Sequence, residues 1–414
     1  MTRQLLTGNG AAAWGARLAQ ADYVPAFPIT PQTEIIETLA RWYASGEMKG
    51  KLTQMESEHS MLTAAIAAAA TGVRVFTATS SQGLLYGMEM MFAAPGLRAP
   101  FVLVNVSRAV ATPLTLEPDH TDVLAARDCG FVQIHCATAQ ELLDNVLIAY
   151  RVAEHPQVRV PVLVNQDGFY LSFTREPVDV PLPDAARRFL PPYEAGAVCL
   201  RASQPQSQAA AVLGGSPYSY FRYEVHRAVE RAEAAYDEAG RDFAVQFGRG
   251  YCALDAYACD DAQIVYFMMG SFAAKARQAV DYLRARGDRA GLLRPRLTRP
   301  FPAAALREAL RGKAAVIVID QNLSMGLGGV LYSELAGALH GHRDMPLLCG
   351  YVGGLGGRDI RLEEFVAMAA EAHVAVASGV APATRLLYTD RELRELRKLQ
   401  AIAGLRHNEV RTDS

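Results

Sequence analysis

The sequence predicts an α/β protein of two units with mainly parallel sheets, joined by a proline-rich stretch and a long helix. Three observations lead there. Short apolar runs of strand length alternate with helix-length stretches through residues 1–176, the alternation resumes near Gln263, and between the two it breaks down at a cluster of prolines. Such alternation favours crossover connections and a parallel sheet.

In the first unit, Val73–Ala78, Phe101–Val106 and Val160–Asn165 read as short buried strands. Glu58–Ala70 reads as an alanine-rich buried helix. Thr138–Ala153 reads as a helix with Thr138 as N-cap and Glu141 three residues on, a capping-box pattern. Residues 177–258 then divide into an extended linker and a charged amphipathic helix over Tyr220–Phe247. Pro177, Pro181, Pro183, Pro191 and Pro192 forbid continuous helix or central strand in the linker. The second unit, 259–375, offers a strand at 264–270 with Ser271 placed to cap a helix over roughly Phe272–Arg286. A strand running into a proline-bounded loop follows at 292–302, then a helix from Ala303 and a strand ending at Asp320. Residues 376–414 read as a charged helical tail whose last residues fray.

Composition narrows the function classes. Half the residues are hydrophobic and a fifth charged, ordinary for a globular protein with real cores. The net charge of −2 leaves no basic excess of the kind that marks nucleic-acid or anionic-membrane partners. The start, MTRQLLTGNGAAAWGARLAQ, lacks the apolar core of a signal peptide, and Ala64–Ala70 is far too short to span a bilayer, so a cytoplasmic location is expected. Six cysteines are scattered without the two-residue spacing of a zinc or iron–sulfur ligand set.

Polar information is concentrated in four loops of the first unit. Pro28-Ile29-Thr30-Pro31-Gln32 fixes a backbone around one hydroxyl; read locally, Thr30 caps a helix with Pro31 at its first position. Glu56-Ser57-Glu58-His59-Ser60 sets charge before an apolar helix. That pattern suits a helix N-terminus first; the functional alternative is a buried carboxylate holding a proton for a cofactor nitrogen. Thr79-Ser80-Ser81-Gln82-Gly83 is a hydroxyl- and amide-rich turn after a strand, where open α/β sheets bind ligands. Ser107-Arg108 also follows a strand. Arg108 there suits a bidentate carboxylate clamp, or a local salt bridge to Asp119 or Asp122. The glycine-rich segments at 326–329 and 353–357 have neither the P-loop lysine nor a clean dinucleotide fingerprint and read as tight turns.

Taken together, FPITPQTEIIETLA at 27–40, ESEHSMLTAAIAAAATG at 56–72, FTATSSQGLLYGMEMM at 76–91, 107–131 and PVLVNQDGF at 161–169 resemble the α subunit of the pyruvate:ferredoxin (2-oxoacid:acceptor) oxidoreductase family, which includes phenylglyoxylate dehydrogenase-type members. The segments at 269–302 and 320–334 resemble that family's transketolase C-terminal-like domain. The resemblance implies a thiamine diphosphate-binding fold whose first domain, 1–176, is the pyrimidine-binding half. It implies that Glu58 contacts N1′ of the cofactor's aminopyrimidine and that Arg108 pairs with the substrate carboxylate. Thr30 would lie beside the reacting carboxylate or carbonyl, and Pro28, Ile29, Ser80, Ser81, Gln82 and Gly83 would line the cofactor pocket. His59 departs from the small residue some relatives carry. Asp119 and His120 fit a pair that orders the loop above Arg108 as well as any direct role.

What the sequence lacks belongs to the same expectation. It has no GDG motif followed by Asn for Mg²⁺ and diphosphate, and no cysteine set for iron–sulfur clusters. The resemblance therefore implies a β-type partner carrying the diphosphate half with Mg²⁺, a ferredoxin-like iron–sulfur subunit, a γ-type subunit and, in NAD-linked members, a flavin subunit. The implied reaction is oxidative decarboxylation of pyruvate or an aryl-2-oxoacid to an acyl-coenzyme A. The competing readings are a subunit of a transketolase-like or lipoamide-linked enzyme, and a non-catalytic assembly subunit.

Overall fold

The computed structural model describes residues 1–195, 199–206 and 211–402. The first unit carries β1 (Thr2–Thr7), β2 (Tyr23–Ala26), β3 (Lys51–Gln54), β4 (Phe76–Thr79), β5 (Val102–Ser107), β6 (Val132–His135), β7 (Val162–Asp167) and β8 (Arg175–Val180). The second carries β9 (Leu254–Tyr257), β10 (Ile264–Phe267), β11 (Ala290–Pro295), β12 (Leu297–Arg299), β13 (Ala315–Asp320), β14 (Leu347–Val352) and β15 (Arg385–Leu386). The central sheet of the first unit runs β12-β6-β7-β5-β4, with β4, β5, β7 and β6 parallel. The second unit's sheet runs β15-β14-β13-β10-β11-β9, parallel except for β9. Both sheets hold fully buried strands of Val, Ile and Leu, as helix-covered parallel sheets require.

The helix Glu58–Ala70 starts where the acidic cluster ends, capped by Ser57, whose hydroxyl accepts from the Ser60 amide. The helix Ala139–Glu154 is capped as expected: Thr138 Oγ1 accepts from the Glu141 amide at 3.1 Å. Glu141 itself does not close the box on the cap residue. Its carboxylate takes the Ala137 amide and, across the unit boundary, Arg294 at 2.5 and 2.9 Å.

Several expectations are corrected. The proline stretch is not one extended linker. Pro177 sits within β8, which pairs only with β1 in an antiparallel ribbon, a place where a missing amide hydrogen is tolerated. Pro183 opens a short helix, Pro183–Phe189, at its first turn. The long helix begins at Gly215 rather than Tyr220 and ends at Phe247, closed by Gly248 in the left-handed region. Thr30 is not a helix cap: the helix starts at Thr33 with Gln32 before it. Ser271 caps no helix either, because its hydroxyl is bound elsewhere. The segment 292–302 divides between sheets, β11 in the second unit and β12 on the edge of β6 in the first, antiparallel, with the chain crossing over at Arg296. The second unit's sheet also reaches beyond 259–375, taking β9 before it and β15 from the tail. A helix Asp390–Ile402 follows in the tail; the expected fraying of the last residues lies outside the described residues. The glycine turns behave as read, with Gly326, Gly328, Gly354 and Gly357 at positive φ.

Candidate active site

Parallel strands put their following loops on one edge, and four of these loops build the site. β2 leads into residues 27–32, β3 into the helix headed by Glu58, β4 into the turn 80–83, and β5 into Ser107-Arg108. Thus Thr30, Glu58, Gln82, Gly83 and Arg108, far apart in sequence, share one polar notch. Thr30 and Pro28 are exposed on its rim, and Ile29 is half-buried.

Glu58 is 6 % exposed, and its carboxylate has no hydrogen-bond or ion-pair partner among the described residues. It packs against the backbone of Gly83. A Cβ at that position would fall 2.4 Å from Glu58 Oε1 and 2.6 Å from Thr79 Oγ1, so the turn must carry glycine for the carboxylate to stand there. The hydroxyl of Thr79 is buried beside it without a partner, and that of Ser80 is also buried and unpartnered. His59 turns outward instead and meets Glu89 at 3.3 Å.

Arg108 is 7 % exposed and pairs with no carboxylate among the described residues. This excludes the local salt bridge as the account of it. Nη1 donates to the Thr30 carbonyl at 2.8 Å, Nη2 donates to the Gln82 amide oxygen, and Nε is buried without a partner. Burial pulls the guanidinium below its ordinary pKa, while the charge of Asp122 pulls the other way.

Asp122 is the residue that sequence reasoning undervalued. Fully buried, it accepts from the Ser81 amide at 3.0 Å, Asn105 Nδ2 at 3.0 Å, Ser107 Oγ at 2.9 Å, its neighbour Val123's amide at 2.7 Å and, weakly, the Arg108 amide at 3.4 Å. It therefore fixes the turn after β4 to the turn after β5. Burial pushes its carboxyl up despite these donors. Ser81 is held there at φ +48, a conformation that side chains other than glycine adopt at a cost.

Asp119 and His120 are likewise settled by geometry. Asp119 caps its own loop through the Thr121 amide, and neither residue reaches the Arg108 guanidinium. His120 Nε2 lies 2.7 Å from Asp167 Oδ1, and Asp167 Oδ2 accepts both the amide and the hydroxyl of Ser271 in the second unit. Burial pulls His120 down, but the Asp167 charge overrides it and leaves its pKa raised. The pair is a buried clamp between units.

Two cavities lie elsewhere. One of about 370 Å³ is bounded by Arg307, Arg311 and Arg343, and one of about 220 Å³ by Arg222, His226 and Arg299. Neither touches the notch. Among the described residues no group of three or more His, Cys, Asp or Glu converges as a metal site, and no helix is long and apolar enough to cross a membrane.

A parallel α/β architecture with polar loops gathered at the carboxyl ends of its strands is shared by many ligand-binding folds, and the match over residues 14–241 places this one among the thiamine diphosphate-binding enzyme subunits. Among solved structures, 2-oxoglutarate:ferredoxin oxidoreductase from Magnetococcus marinus shares the fold with a TM-score of 0.66 at 18% identity, over 89% of this chain and 65% of that longer one. Residues 14–241 match the family described as pyruvate flavodoxin/ferredoxin oxidoreductase, thiamine diP-bdg, and residues 262–365 match pyruvate:ferredoxin oxidoreductase core domain II. Pyruvate synthase subunit PorA of Methanothermobacter thermautotrophicus is 42% identical over 88% of this chain and 95% of its own. Ketoisovalerate oxidoreductase subunit VorA of Pyrococcus horikoshii is 39% identical over 91% and 95%. The chain belongs to the pyruvate:ferredoxin oxidoreductase family, as an α-type subunit of a thiamine diphosphate-dependent 2-oxoacid oxidoreductase.

Proposed function

We propose that the notch is this chain's half of the catalytic site, activating the cofactor through Glu58 and binding the 2-oxoacid carboxylate through Arg108. One observation carries the reading. A buried carboxylate and a buried guanidinium stand in the same notch, and neither is paired with an opposite charge among the described residues. Unpaired buried charges are costly, so both fit groups that arrive with a ligand.

The residues fit thiamine diphosphate. The glycine at 83 keeps a face of Glu58 open, and the unpartnered Thr79 hydroxyl offers a polar contact beside it. When bound, the cofactor supplies an acidic thiazolium carbon and an electron sink for decarboxylation. Glu58 holds a proton at N1′ of the aminopyrimidine. Pro28, Ile29, Ser80, Ser81, Gln82 and Gly83 line the ring. Arg108 orients the substrate by its carboxylate, and Thr30 presents its hydroxyl at the rim toward the reacting carboxylate or carbonyl.

The diphosphate, Mg²⁺ and iron–sulfur centres belong on other chains in this reading: a β-type subunit, a ferredoxin-like subunit and a γ-type subunit, with a flavin subunit where NAD is the acceptor. Coenzyme A takes the acyl group, and the assembly works in the cytoplasm. The named relatives are subunits of a pyruvate synthase and of a ketoisovalerate oxidoreductase. Pyruvate is the first substrate to test here. The small side chains of Ala109-Val110-Ala111 support room for a branched or aryl group such as that of phenylglyoxylate. Turnover of the reconstituted complex over a panel of 2-oxoacids ranks these. Glu58→Ala in the same complex tests the site: loss of turnover supports it, and unchanged turnover favours a subunit that only assembles the complex.

A further inference from the structure

The proposed site leaves one contact unexplained: the groups that Arg108 would offer a substrate are partly in use. Its Nη2 donates to the side-chain amide of Gln82, which also accepts from Ser81 Oγ at 2.6 Å. Arginine has only donors, so the amide atom facing it is the oxygen. Ser81 in turn is pinned by its amide to Asp122, and its single hydroxyl hydrogen goes to the nearer Gln82 oxygen rather than to the Ala109 carbonyl at 3.1 Å. Two donors therefore converge on one planar sp² oxygen in the arrangement a carboxylate oxygen would accept, while Arg108 Nε is left buried and unbonded beside it.

We propose that Gln82 is a placeholder for the substrate carboxylate, holding Arg108 and Ser81 and yielding them when the 2-oxoacid binds. The inference rests on Arg108 being the carboxylate-binding residue. A neutral amide is suited to the task. Its hydrogen bonds are weaker than the charge-assisted ones of a carboxylate, so the exchange runs toward substrate. Half-buried Gln82 has solvent to turn into, whereas Arg108 is held in place by the Thr30 carbonyl. Gln82 then sets substrate affinity: whatever replaces it competes with the incoming carboxylate on different terms.

The test uses the reconstituted complex and two readouts, KM for the 2-oxoacid and the thiamine diphosphate concentration giving half-maximal activity. Gln82→Glu supplies a tethered charge that Arg108 retains. KM rises by about tenfold or more, the worth of one charge-assisted bond, and by a larger factor than the cofactor requirement. Gln82→Met, of similar length without an acceptor, lowers KM, and keeps the test alive should the glutamate variant fail to assemble. An unchanged KM in both variants, or a change confined to the cofactor requirement, overturns the proposal. Arg108→Ala measured alongside separates the two failures. If it raises KM while Gln82→Glu does not, only the placeholder is lost; if it leaves KM unchanged, the assignment of Arg108 itself is wrong.

Discussion

The notch and the seam between the two units use the same side chains in opposite ways. At the seam, Arg294 and Arg296 are buried against Glu141 at 2.5 and 3.4 Å and against Asp255 at 2.8 and 3.0 Å, and His120 is buried against Asp167. Every one of those charges has an opposite partner. In the notch, Glu58 and Arg108 are as deeply buried and neither has one. Paired charges fix how two surfaces meet, because removing either partner strands the other. Buried Asp122 also lacks an opposite charge, but amide and hydroxyl donors of this chain satisfy it, whereas the Glu58 carboxylate has no partner among the described residues. Partnering, not burial, separates the seam from the notch.

Substitutions at the two places should therefore fail differently. Glu58→Gln is expected to cost the assembled complex roughly 10²–10⁴ in turnover, the usual worth of a positioned proton carrier, while thermal unfolding of the chain is unchanged. Glu141→Gln is expected to destabilise the chain by about 3–5 kcal/mol in denaturant unfolding, because Arg294 and Arg296 lose their main partner. If Glu141→Gln instead spared stability and abolished turnover, the comparison would be broken.

Gly83→Ala tests the notch from its other wall. The added Cβ meets Glu58 Oε1 at 2.4 Å and must push the carboxylate out of line, so turnover falls by about 10² while Glu58 itself is intact. Asp122→Asn tests how the loops are held. One amide oxygen cannot serve all the donors the carboxylate accepts, so stability drops by about 1–3 kcal/mol and KM for the 2-oxoacid rises as Arg108 loosens.

The smallest effect is in pH. Burial alone would raise the Glu141 carboxyl, but Arg294 and Arg296 outweigh it and hold it below its ordinary value. A carboxyl lowered in the folded state contributes stability fully above its unfolded pKa of about 4.3 and loses it as pH falls from there through the folded value. The acid limb of the stability curve should thus be steeper in the wild type than in Glu141→Gln, as followed by circular dichroism.

Much of this was legible in the sequence where the signal is local. The buried strands announce themselves as apolar runs, and Ser57 and Thr138 cap their helices from one turn away. The acidic run at 56–58 marked only a helix start, and the role expected of Glu58 came from the family resemblance. Thr30 was misjudged as a cap because Thr-Pro is a common helix opening; the helix starts two residues after Pro31. Pairings across long sequence separations gave no local signal. Asp167 lies 47 residues from His120 and 104 from Ser271, and nothing near any of them points to the others. The exchange of β12 into the first unit's sheet is a tertiary event that a continuous 292–302 pattern conceals. Asp122 was visible only as a neighbour of Arg108, since a carboxylate bound to backbone amides leaves no mark on residue types.

The central claim is that Glu58 stands unpaired because it governs a proton at the cofactor's aminopyrimidine. The most direct measurement is the rate of hydrogen–deuterium exchange at the thiazolium C2 of thiamine diphosphate bound to the assembled complex, followed by NMR after rapid acid quench. Glu58→Gln should slow that exchange by about 10² or more while the cofactor remains bound. Exchange as fast as in the wild-type complex would contradict the account.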